Sequence, residues 1–292
     1  GEVRYQKLLN NFHALQAIDT YTGNTYIERN FSEDMEIAVE DVEQLFHDYL
    51  SAPELKAIGK IIEKRLGRSL KAWDIWYDGF KPRSNLDENL LSQQTSALYP
   101  DAAALEKDLP NILIKLGFSA ERAKYICDKI AVDAARGSGH AWGGQMKGQK
   151  AHLRTRIPEA GTDYKGYNIA IHEFGHNVEQ TISLYDVDYY MLNGVPNTAF
   201  TEALAFVFQK RDLELLGIED QDSEKHAMDV LDKAWQLYEI CGVSMLDIAV
   251  WKWLYANPEA NASQLKEATI RLSKEVWNQY FYPVFGEKDQ IV

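Results

Sequence analysis

Apolar positions recur along most of the chain at intervals of three and four residues, the spacing that lines one face of a helix. Ser32 precedes an acidic first turn, Glu33-Asp34, and Ile37, Ala38, Val42, Leu45, Phe46 and Leu50 follow on one stripe, which predicts a helix from about residue 33 to 50. Pro53 restarts the pattern at a favoured first-turn position, Leu55, Ile58, Ile61, Ile62 and Leu66 carry it on, and Gly67 ends it. Asp101 opens a helix bearing Leu105, Leu109, Leu113 and Leu116. Ser119 with Glu121 opens another, with Ala123, Ile126, Cys127 and Ile130 facing inward.

The pattern changes over residues 136–167, where Gly137, Gly139, Gly143, Gly144, Gly148, Gly161 and Gly166 accumulate. His152 to Ile157 alternates as a short strand does, and the glycines mark turns or bulges. This predicts a small sheet near residues 136–160. Helical patterns resume over 167–184, 199–216, 223–241, 244–256 and 262–281. The predicted class is mainly α, in an N-terminal helical part (1–135) and a part with the small sheet (136–292), unless the two form one continuous domain.

An apolar fraction of 46% is enough for a sizeable core and excludes general disorder. The net charge of −13 argues against nucleic-acid partners, which need a basic surface, and against anionic lipid. The most apolar stretches are interrupted by Glu202, Asp247 and Lys252, so no membrane span is expected and the chain reads as soluble, the cytoplasm being favoured over the periplasm or secretion. Cys127 and Cys241 sit in apolar helical patterns and read as buried thiols. Oligomeric state is not legible.

The chemistry concentrates in His172-Glu173-Phe174-Gly175-His176, a match to H-E-x-x-H. With 7 His and 23 Glu, random placement gives this pattern about 0.01 times in such a chain. Four helical residues turn through about 400° and rise about 6 Å, so both imidazoles point the same way and suit one Zn²⁺. Glu173 then reaches the water beside the metal without binding the metal. A third ligand is needed. Glu202, 26 residues after His176, interrupts an otherwise apolar helix, where a metal ligand explains it better than packing does. Glu179, Asp186 and Asp188 compete for that place, Glu179 also as a neighbour of the ligands.

These residues, with Phe200-Thr-Glu202-Ala following the motif, resemble the M3 family of zinc peptidases, the oligopeptidases of the thimet oligopeptidase, oligoendopeptidase F and dipeptidyl carboxypeptidase type. The resemblance covers roughly residues 140–210. It implies a multi-helical zincin-type core around a peptide channel, with zinc on His172, His176 and Glu202, Glu173 as general base, and short peptides as substrate. In zinc peptidases of this type an edge strand before the motif pairs with the substrate backbone. That role would fall to the segment of His140, which otherwise reads as a hairpin closing the fold. Family members are longer and carry substrate-binding His and Tyr residues downstream. Here only Tyr280 and Tyr282 stand in that region, so the chain reads as a fragment holding the zinc core. The alternative is a non-catalytic zinc- or peptide-binding module.

Overall fold

A computed structural model describes residues 2–80, 87–192, 198–218 and 223–292. It is mainly helical, with one three-stranded sheet among the described residues. No described helix is long and apolar enough to cross a membrane. The chain forms two compact units, Gly1–Pro82 with Asp222–Val292, and Arg83–Gln221. The sequence-based division after residue 135 falls inside the second unit, between its first two strands.

The first unit contains α1 (Val3–Thr22), the short turn α2 (Tyr26–Glu28), α3 (Val39–Leu50), α4 (Pro53–Leu66), α11 (Ser223–Ala256), α12 (Ala262–Val276) and α13 (Tyr282–Phe285). α3 begins six residues after the predicted start at about residue 33. Glu36 adopts a left-handed conformation at φ 56°, which no helix continues through. α4 runs between its predicted ends, from Pro53 at the first turn to Gly67 at φ 67°. α11 is one helix of 34 residues where two were expected. Gly242 is there for packing and not for termination, because a Cβ on it would lie 2.3 Å from the Phe281 ring. Trp235, Tyr238, Trp277, Phe281 and Phe285 form the aromatic centre of this core. Trp73 and Trp76, by contrast, are exposed.

The second unit contains α5 (Glu88–Leu98), α6 (Ala102–Lys115), α7 (Ala120–Cys127), β1 (Ile130–Ala135), β2 (His140–Trp142), β3 (Ala151–Arg156), α8 (Tyr164–Asp186), α9 (Thr198–Gln209) and α10 (Asp212–Leu215). α6 and α7 start at the expected caps, Asp101 and Ser119, whose side chains accept hydrogen bonds from Ala104 and Arg122 N–H. The strand order is β1-β3-β2, with β1 parallel and β2 antiparallel to β3. The apolar stripe after Ser119 predicts a helix reaching Ile130, but α7 ends at Cys127 and Ile130 opens β1. Helix and strand periods coincide over Ile126 and Ile130, but Ile130 and Val132 alternate inward, and that is strand behaviour. The β3 residues Ala151, Leu153 and Thr155 point into the core while Arg154 and Arg156 face solvent.

α8 lies on the inner face of the sheet, where the buried Thr155 hydroxyl donates to the Gly166 carbonyl at 2.8 Å. Its Tyr167, Ala170, Ile171, Phe174 and Val178 join Leu109, Leu113, Ile126 and Leu153 in the core. The turns between these residues bring His172, His176 and Glu179 to a different stripe, only partly buried.

Candidate metal centre

α8 begins at Asp163, whose side chain accepts from the Gly166 N–H at 2.7 Å. Helical continuity through the motif then places His172 and His176 on successive turns. α9 packs closely against α8 at Gly175. Gly175 has no side chain, and a Cβ there would lie 2.7 Å from the Ala205 Cα. This close approach carries Glu202 to the two histidines.

The three side chains converge. Nε2 of His172 and Nε2 of His176 are 3.2 Å apart. Glu202 Oε2 is 3.4 Å from His172 Nε2, and Glu202 Oε1 is 3.4 Å from His176 Nε2. Tetrahedral bonds of about 2.0–2.1 Å to one zinc separate its ligand atoms by roughly 3.3–3.4 Å. The donor set and its spacing therefore fit a zinc ion. Among the described residues this is the only group of three or more His, Cys, Asp or Glu side chains placed to hold a metal. Burial holds His176 below its ordinary imidazole pKa, with the neighbouring His172 acting the same way and Glu202 opposing, so the neutral, ligating form is favoured.

Glu173 stands outside the donor set. Its carboxyl group lies beside the glycine before β2, where a Cβ on Gly139 would be 3.1 Å from Glu173 Oε1. Burial raises its pKa, with Glu202 adding to the rise while His172 and His140 oppose it. A carboxyl group so placed holds a proton more readily than an exposed glutamate does.

A line of hydrogen bonds runs away from the site. His172 Nδ1 meets Gln209 Oε1 at 3.1 Å, Gln209 Nε2 donates to Asn168 Oδ1 at 2.7 Å, and Asn168 Nδ2 donates to Asp212 Oδ2 at 2.8 Å. Asp212 is buried, and accepts also from the Tyr164 hydroxyl at 2.7 Å and the Leu213 N–H at 2.6 Å. Burial, reinforced by Asp212, pushes the Tyr164 hydroxyl pKa upward, so it remains a donor. The sequence reading missed this line. Two offsets pointed to it: Asn168 is four residues before His172, and Gln209 is seven after Glu202, each on its ligand's helical face.

The other predicted residues are placed as follows. His140 is exposed on β2, its ring stacked on Trp142 with centroids 6.0 Å apart. Tyr280 is buried in the first unit, its hydroxyl 2.9 Å from His47 Nδ1. Tyr282 packs against the same core and carries Lys288 Nζ 4.9 Å from its ring centroid. Of the competing acids, Asp186 pairs with Arg122 and Glu179 is half-buried with a pKa raised by burial. Neither Glu179, Asp186 nor Asp188 belongs to the converging set. His152 is held by Asp133 Oδ2 at 2.8 Å on the sheet. A scan against protein families and searches of curated proteins and solved structures match nothing.

Proposed function

We propose that this protein is a zinc-dependent metallopeptidase acting on short peptides, with a zincin-type core. The carrying observation is the convergence of His172, His176 and Glu202 to ligand–ligand spacing, with Glu173 one residue from the first histidine yet outside the donor set. The motif's resemblance to M3 zinc oligopeptidases supports the same reading. When bound, zinc polarises the scissile carbonyl and makes water acidic enough to attack it at neutral pH.

The chain's own groups do the rest. Glu173 takes the proton of the attacking water and delivers it to the leaving amine nitrogen. Its raised pKa suits both halves of that task. β2 pairs with β3 on one side, and its other edge has no strand partner among the described residues. An extended peptide adds to such an edge through main-chain hydrogen bonds. Gly139 beside Glu173 and Gly143 against Gln180 hold this strand along α8, and Asn177 Nδ2 donates to the Trp142 carbonyl at 3.4 Å.

Zinc stoichiometry and hydrolysis of a mixed short-peptide library test the proposal. One zinc per chain and chelator-sensitive cleavage are expected. Zinc binding without cleavage would leave the binding-module reading, and no zinc binding would remove the metallopeptidase and the zinc-binding module alike.

A further inference from the structure

We infer that Asp212, though it touches no metal ligand, is a positioning residue that fixes which nitrogen of His172 faces the metal, acting through Asn168 and Gln209. The inference rests on the metal-site reading above. It follows from what each group is able to donate.

A carboxylate only accepts hydrogen bonds, and Asp212 Oδ2 takes them from Tyr164 and Asn168. Asn168 must therefore turn its NH₂ group toward Asp212, which leaves its carbonyl oxygen toward Gln209. Gln209 must meet that oxygen with its own NH₂ group, and the 2.7 Å separation shows that it does. The remaining Gln209 atom, Oε1, faces His172 Nδ1 at 3.1 Å and has nothing to donate. Nδ1 of the neutral ring must then carry the hydrogen. Nε2 is left as a bare lone pair, 3.4 Å from Glu202 Oε2 and aimed into the converging set.

Two amides alone do not set this direction. Each reverses by exchanging its oxygen and nitrogen, and a chain of them runs equally well either way. Reversed, Gln209 would donate to Nδ1, the hydrogen would sit on Nε2, and metal binding would first have to remove it. The acceptor-only end at Asp212 breaks the tie. Its other oxygen is held by the Leu213 N–H at 2.6 Å, so an asparagine at this position would keep its oxygen there and present its NH₂ where Oδ2 now lies. Asp212→Asn thus preserves the shape and inverts the polarity.

The test uses the whole chain and zinc alone. Zinc affinity is measured by chelator competition, and the His172 tautomer by ¹⁵N NMR of the metal-free protein. Wild type should show the Nδ1–H form of His172. Asp212→Asn should show the Nε2–H form and bind zinc about 10–100-fold more weakly, the usual cost of disturbing a ligand's partner. Gln209→Leu should weaken zinc similarly, while adding Gln209→Glu to Asp212→Asn, which lets the Asn168 NH₂ turn to the introduced carboxylate and leaves an acceptor facing Nδ1, should restore the Nδ1–H form and most of the zinc affinity. That contrast separates direction-setting from mere packing. An unchanged tautomer and zinc affinity in Asp212→Asn would overturn the inference and leave the metal site standing. A wild-type chain that binds no zinc would overturn the metal reading itself, and the inference with it.

Discussion

Gly175 on α8 and Ala205 on α9 meet so closely that a Cβ on Gly175 would lie 2.7 Å from the Ala205 Cα. The contact is backbone against side-chain-free backbone, so nothing flexible is available to move aside. It sets the distance between the helix carrying His172 and His176 and the helix carrying Glu202.

Gly175→Ala should therefore push the two helices apart. We expect a stability loss of about 1–3 kcal/mol, typical of overpacking a tight contact. Zinc affinity should fall as well, because Glu202 retreats from the histidines. Thermal melting of the metal-free protein and chelator competition measure the two effects. Unchanged zinc affinity would show that α9 does not set the third ligand.

Glu173 and Glu202 should separate by function when each loses its charge. Glu173→Gln should retain zinc near full stoichiometry and lose about 10²–10⁴-fold in peptide cleavage. Glu202→Gln should lose zinc affinity and cleavage together, with added zinc restoring part of both. The reverse pattern would exchange the roles of ligand and base.

Phe174 lies between the two histidines in sequence but points to the opposite side, fully buried and edge-on to Phe208 at 6.0 Å. Phe174→Ala should cost about 3–5 kcal/mol in denaturant unfolding, as expected for removing a buried ring. A loss below about 1 kcal/mol would place this side chain outside the core.

Both cysteines are free and buried. Burial, with a smaller contribution from Asp128, raises the Cys127 thiol to about 12, and burial alone raises Cys241. The folded thiols stay protonated where unfolded ones ionise, so they favour the folded state up to about pH 8.5 and this contribution fades above it as pH rises toward the folded values. A thiol reagent at pH 8 should label neither cysteine in the native chain and both in denaturant. Rapid native labelling of Cys127 would contradict its burial.

Much of the architecture was legible because helical periodicity is local. Asp101, Ser119, Pro53 and Gly67 mark helix ends through hydrogen bonds and dihedral preferences acting within one turn. The misreadings arose where a local signal is ambiguous. Ile130 satisfies helix and strand periods alike, and Gly242 serves as a breaker or as a close-packing site according to what lies opposite it. Phe281, 39 residues away, decides the second case.

The sequence by itself determined the helix of His172 and His176, the direction in which those side chains point, and the presence of an isolated acid at Glu202, because each follows from residue type and helical pitch. Only the tertiary structure decided that Glu202 comes to 3.4 Å of both imidazoles and that Asp212 closes the line behind His172. Those relations depend on where α9 and α10 lie against α8. Their placement is set by the contact at Gly175 and by burial of Phe174, Ala205 and Phe208, interactions between residues about thirty apart that no local pattern encodes.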